Sequence, residues 1–130
     1  NMVMIVNIDG RKIMVTGDLL EEDEKAMIKY YGTSGLLKCH VLKAGHHGSR
    51  TSTSPEFLDA VDPEIVVIQV GRNNIYGHPH RQVVRRIESR GIKIYRTDVQ
   101  GAVGMRIRKN HIQVHTMIRQ SPEEGNTDVI

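Results

Sequence analysis

The sequence predicts an α/β domain, a mixed β-sheet with helices packed on it. Three observations carry that expectation. Short apolar runs rich in Val and Ile recur from Met2 to Met117, most plainly Ile65-Val66-Val67-Ile68. Helical patterns stand between them, at Leu20–Tyr31 and Arg81–Arg90. Hairpins lie near both ends, one marked by the turn signal Asp9-Gly10 and one around Lys109-Asn110. Alternating elements flanked by hairpins argue a sheet of mixed direction.

Taken in order, Met2–Ile8 and Lys12–Thr16 are strands around the Asp9-Gly10 turn. Leu20–Tyr31 is a helix with Leu20, Met27, Ile28 and Tyr31 on one face. Glu21, Glu22, Asp23 and Glu24 read as its solvated first turn, where the helix dipole favours negative charge. Gly32–Gly35 breaks the chain, and Leu36–Ala44 is a third strand. Ser54-Pro55 starts a short helix to Val61, with serine as N-cap and proline at N1. Glu64–Val70 is almost wholly apolar, as in a strand buried on both faces. Arg81–Arg90 is a helix with Val83, Val84 and Ile87 inward and Arg81, Arg85, Arg86 and Arg90 towards the outside; Gly91 ends it. Ile92–Tyr95 is a strand, Thr97–Gly101 a turn, and Ala102–Arg108 with His111–Met117 a last hairpin. Residues 1–120 make one domain, and 121–130 read as a disordered tail.

The 130 residues suffice for one buried core. A single cysteine, Cys39, excludes an internal disulfide. No run approaches the ~18 apolar residues of a membrane helix. The chain opens without a start methionine, directly in a strand, and reads as a piece of something longer. Its net charge of +3 hides an asymmetry: the first 119 residues carry 18 basic against 12 acidic groups, and Ser121–Ile130 holds three acids and no base. That excess suits either an ordinary basic surface or a phosphate-bearing partner.

The chemistry-bearing residues follow apolar strands. Val15-Thr16-Gly17-Asp18 ends on a carboxylate, and Leu42-Lys43-Ala44-Gly45-His46-His47 ends on two imidazoles. Carboxylate and imidazole are the usual ligands of zinc or manganese, and neighbouring strand ends can bring Asp18, His46 and His47 into one coordination sphere. Gly17 and Gly45 let the backbone approach closely. The competing reading makes Asp18 an N-cap and the histidines exposed loop residues. Gly48–Ser54, with Ser49, Arg50 and Thr51, suits an anion. Asn73, Asn74 and His78 lie in the loop after the most buried strand; His78 reads as a proton donor or phosphate ligand, or as a backbone cap, and His80 as a weaker candidate.

Four blocks, Val15–Asp18, Leu42–Ser49, Asn73–Pro79 and Tyr95–Ala102, occur here in an order that resembles the metallo-β-lactamase-fold domain of ComEC/Rec2, the competence proteins of DNA internalisation. The match runs from about residue 2 to 117. The resemblance implies an αββα sandwich, a two-metal zinc or manganese site, and phosphodiester hydrolysis that degrades one DNA strand during transformation. It implies a domain attached to a bacterial plasma-membrane channel, on the outer side. Carried over, Asp18 is the carboxylate bridging two metals, and one of His46 and His47 is a ligand, with His46 favoured because it directly follows the strand and Gly45. Ser49, Thr51, Asn73, Asn74 and His78 would line the substrate groove, and Arg81 and Arg85 would meet DNA phosphates.

The family's His-x-His-x-Asp-His motif is absent from the chain. The resemblance therefore covers the C-terminal half of that domain, expected to be inactive alone and to expose an apolar sheet face that favours self-association. A phosphocholine esterase or lactonase of the same fold, or a metal-free basic module binding nucleic acid, are the alternatives.

Overall fold

The backbone of residues 1–118 and 127–129 is described by a computed structural model. Two hairpins frame it. Asp9 and Gly10 take φ of 46° and 84° between β1 (Met4–Ile8) and β2 (Arg11–Val15). Lys109 and Asn110, at 46° and 66°, join β6 (Val103–Arg108) to β7 (His111–Thr116). Two consecutive left-handed residues match the twist of antiparallel strands, so both hairpin expectations hold. Between them lie α1 (Glu21–Tyr31), β3 (Val41–Lys43), α2 (Pro55–Val61), β4 (Ile65–Ile68), α3 (Arg81–Glu88), β5 (Lys93–Arg96) and a one-turn α4 (Thr97–Gln100), where only a turn was expected.

Strands β1 to β5 form one sheet in sequence order. β1 runs antiparallel to β2, and β2, β3, β4 and β5 are parallel. The expected mixed sheet is present. Register explains its two cores. The row Met14, Leu42, Val66 faces the helices and packs with Phe57, Leu58 and Ile87. The row Ile13, Val41, Ile65 faces β6 and β7 and packs with Ile112 and Val114. Both faces of β4 are therefore apolar because both are covered. The result is three layers: helices, a five-stranded sheet and the β6–β7 sheet. A short β8 (Thr127–Val129) pairs with β7. The remainder of the expected tail, 121–126 and 130, lies outside the described residues.

Three expectations change. The third strand is only three residues long. Leu37 and Cys39 turn into the helix-side core, and the Cys39 N–H donates to the Val61 carbonyl, so 36–39 packs on the end of α2 and hydrogen bonding to the neighbouring strands begins at His40. The acidic run is not all solvated: Glu24 is fully buried, its carboxylate accepting the backbone N–H groups of Thr53 and Ser54. The apolar exposure of the sheet lies on its edge strand, at Met4, Ile5 and Ile8, while the central strands pack on both faces.

Candidate functional site

The parallel strands place their carboxyl ends along one edge, where ligands bind in open α/β sheets. Asp18 follows β2, His46 and His47 follow β3, and the loop bearing His78 follows β4. The end of β2 is stitched to that of β3: Thr16 Oγ1 donates to the Lys43 carbonyl (2.8 Å), Lys43 Nζ to the Gly17 carbonyl (3.1 Å) and His46 N–H to the same Gly17 carbonyl (3.0 Å). Gly45 is where the backbone comes closest, since a Cβ there would lie 2.9 Å from the Leu19 carbonyl oxygen. Asp18 does not cap α1, whose N-cap residue is Leu20.

Sequence reasoning leaned to His46, but the geometry sets His47 beside Asp18. His47 Nε2 stands 3.5 Å from Asp18 Oδ1, both side chains being about half exposed. His47 Nδ1 is 2.7 Å from the Gln69 carbonyl. A carbonyl only accepts, so Nδ1 carries the proton. In the neutral ring Nε2 then presents a lone pair to a carboxylate oxygen. Two acceptors facing each other want a proton or a cation between them. Two ligand atoms each about 2 Å from one ion at a tetrahedral angle are about 3.3 Å apart, so the 3.5 Å spacing is close to that of an ion held by both. A backbone carbonyl on the other ring nitrogen is the kind of contact that fixes the tautomer and orientation of an imidazole.

His46 and His47 both have left-handed backbones, φ 43° and 56°. Such conformations are costly for residues with a side chain and gather at functional sites. The ring of His46 meets His78 edge-on, centroids 5.6 Å apart, and its Nδ1 is buried without a partner among the described residues. Burial first, then the charges of His46, His47 and His80, hold His78 below the usual imidazole range, which suits it to binding a cation or accepting a proton more than to donating one at neutral pH.

Asn74 holds His78 in place. Its Oδ1 accepts the His78 N–H (3.0 Å) and its Nδ2 donates to the carbonyls of His78 (2.6 Å) and Gly71 (3.1 Å). The asparagine side chain is thus spent on the loop, while Asn73 is exposed at φ 57°. Ser49 is buried with its hydroxyl on Thr51 (3.0 Å), and Thr51 is exposed with its carbonyl accepting the Glu21 N–H. His80 caps α3, its Nδ1 accepting the Gln82 N–H, and its own N–H donates to Gly48. Of the four helix arginines, Arg86 is tied to the carbonyls of Ser52 and Thr53 and Arg90 to Asp59; Arg81 and Arg85 are exposed.

Sequence reasoning missed Glu24, Thr97 and Gln69. Thr97 Oγ1 accepts the Val70 N–H and donates to the Val70 carbonyl, both at 2.8 Å, tying the end of β5 beside the carbonyl that orients His47. Only the position of Thr97 directly after a strand could have flagged it. A cavity of about 550 Å³ between β1 and α1 is apolar and contains none of the candidate ligands.

Fold and site together define an α/β domain whose carboxylate and imidazole groups meet at the carboxyl ends of parallel strands. The chain is similar over 101 residues, at 45% identity, to "Competence protein ComA" of Neisseria gonorrhoeae, which covers 78% of this chain and 14% of that protein. It is 35% identical over 112 residues to "ComE operon protein 3" of Bacillus subtilis and 30% over 112 residues to "Recombination protein 2" of Haemophilus influenzae, each covering 86% of this chain and 14% of the relative. These similarities relate it to a segment of the ComEC/Rec2 competence proteins, of whose length it spans about one seventh. No protein-family model matches the chain. No helix among the described residues is long and apolar enough to cross a membrane.

Proposed function

We propose that this chain is part of a metal-dependent hydrolase domain, a phosphodiesterase or nuclease, in a protein of DNA uptake. The observation that carries the reading is the approach of His47 Nε2 to Asp18 Oδ1, with the other imidazole nitrogen engaged by Gln69. The names of the relatives support the competence setting. Three layers of helix, sheet and sheet support part of a metallo-β-lactamase-like αββα sandwich. On this reading the domain is attached to a plasma-membrane channel, on its outer side.

Asp18 and His47 would hold a zinc or manganese ion, with His46 and His78 flanking it. Such an ion supplies a water acidic enough to serve as hydroxide near neutral pH. Lys43 and Gly17 fix the carboxylate's strand end, and Gln69 fixes the imidazole. No cluster of three or more His, Cys, Asp or Glu among the described residues can hold a metal. The reading therefore takes the remaining ligands of a two-metal site from parts of the longer protein outside these residues, and expects this chain alone to be inactive.

A second reading, a metal-free module binding nucleic acid, is favoured by that missing third ligand and by the exposed Arg81 and Arg85. The test is cleavage of end-labelled DNA by the longer domain with manganese or zinc. Cleavage abolished by Asp18→Ala and by His47→Ala supports the hydrolase. Cleavage indifferent to both overturns it, and salt-sensitive DNA binding without cleavage supports the module. Hydrolysis of a phosphocholine ester or a lactone, but not of DNA, would move the substrate elsewhere within the fold.

A further inference from the structure

The outward face of the β6–β7 hairpin takes no part in the strand-end site. Burial alternates along both strands. Val103, Met105, Ile107, Ile112 and Val114 point into the core. Arg106 and Arg108 are exposed on the other face, with Arg106 opposite Gln113 and Arg108 opposite His111. With Lys109 at the turn, these five residues line a cleft of about 330 Å³. From Gly101 to Ser121 the sequence contains no acidic residue. No ion pair reaches Arg106, Arg108 or Lys109 among the described residues. Glu64 is already paired with Arg11 (2.9 Å), and the backbone of β8 sets Asp128 opposite Val114 on β7. Arg11 also donates to the Asn110 carbonyl (2.5 Å), which pins the tip to the other hairpin.

We propose that this face binds the phosphodiester backbone of a polynucleotide; the proposal rests on the DNA reading above and names a surface separate from the candidate ligands. Alternate residues on a strand lie about 7 Å apart, so Arg106 and Arg108, without an ion pair among the described residues, form a row of guanidiniums that repel one another until an anion lies across them. Guanidiniums bind phosphate through paired N–H donors. The inner face of the hairpin is buried and its tip is anchored, so it cannot enter a duplex groove as a free ribbon. It meets the backbone from outside, where contacts position the strand without reading its sequence. The cleft is cationic, and no apolar residue lines it to favour a folded protein partner.

The test is fluorescence anisotropy of the 130-residue chain with labelled oligo-dT and with a duplex, across a salt series. Each phosphate contact on a single strand contributes about 0.7 to the log–log salt slope. R106Q/R108Q is expected to lower that slope by about 1.4 on oligo-dT, with the circular dichroism spectrum unchanged, and R106K/R108K to keep it. A steeper loss on the duplex than on oligo-dT would assign the face to double-stranded DNA. An unchanged slope in R106Q/R108Q with a reduced one in R81Q/R85Q would overturn this proposal and leave the DNA reading standing. Absence of salt-sensitive binding to either nucleic acid would remove both. Binding to phosphatidylglycerol vesicles instead, lost in R106Q/R108Q, would overturn it in favour of a membrane surface.

Discussion

His47 Nε2 lies 3.5 Å from Asp18 Oδ1, across the ends of two adjacent parallel strands, while its other nitrogen meets the carbonyl of Gln69 after the next strand. Three consecutive strand ends thus determine the position of one imidazole. The site depends on how rigidly those ends and the loops beyond them are held, and the predictions follow from that.

Glu24 is the first such support. Its buried carboxylate accepts two backbone N–H groups at the start of α2 (2.9 Å from Ser54), and Thr53 Oγ1 in turn accepts the Gly45 N–H. Glu24→Ala leaves both amides buried and unpaired, at about 2–4 kcal/mol. Glu24→Gln keeps an acceptor but turns an NH2 towards a donor, and should cost somewhat less. Urea unfolding measures both; a Glu24→Ala midpoint equal to the wild type would show that the carboxylate supports nothing.

Gly48 closes the histidine turn at φ 81°, and a Cβ there would lie 2.7 Å from the Pro79 Cβ. Gly48→Ala is expected to destabilise by about 1–3 kcal/mol and to push the His78 loop off the His46 ring. Gly71→Ala, where a Cβ meets nothing within 4 Å, is the control. Equal melting temperatures for the two variants would contradict the packing described.

Asn74→Ala removes three hydrogen bonds that shape the 71–80 loop. The loss is expected to be local, about 1–2 kcal/mol, and visible as faster amide hydrogen exchange at His78 with little change in α2. Uniform acceleration across the domain, or none, would argue against a local clamp.

Cys39 is 4% exposed, and burial pushes its thiol above the usual range, with Lys12 opposing weakly. The folded chain should react slowly with thiol reagents at mildly alkaline pH and rapidly in urea. The folded thiol is the weaker acid, so its contribution to stability is full below the unfolded thiol's value of 9.0 and is lost as pH rises through the folded value. Cys39→Ser should flatten that alkaline decline. Fast stoichiometric labelling of the native chain would place the thiol at the surface.

Much of this was legible because local chemistry and tertiary packing agree. Asp9-Gly10 makes the two-residue turn its residue types favour, Asn110 suits the left-handed position it takes in the second hairpin, and Ser54 caps α2 by accepting the Phe57 N–H. The apolar β4 read as doubly covered, and it is. Leu36–Cys39 misled because its residues suit a strand or a core loop equally well, and packing against the end of α2 decided between them. Glu24 was hidden because a carboxylate in an acidic first turn has no sequence mark for burial; its partners are backbone amides 29 and 30 residues away. Residue type does not separate His46 from His47: both take left-handed backbone angles, and it is the structure that sets the His47 ring 3.5 Å from Asp18 and the His46 ring against His78.

Metal analysis of the longer domain, purified and dialysed, tests the central claim most directly, with wild type beside Asp18→Ala and His47→Ala. The account predicts zinc or manganese bound in stoichiometric amount by the wild type and lost in large part from each variant. Full metal content in both variants, in folded protein, would contradict it.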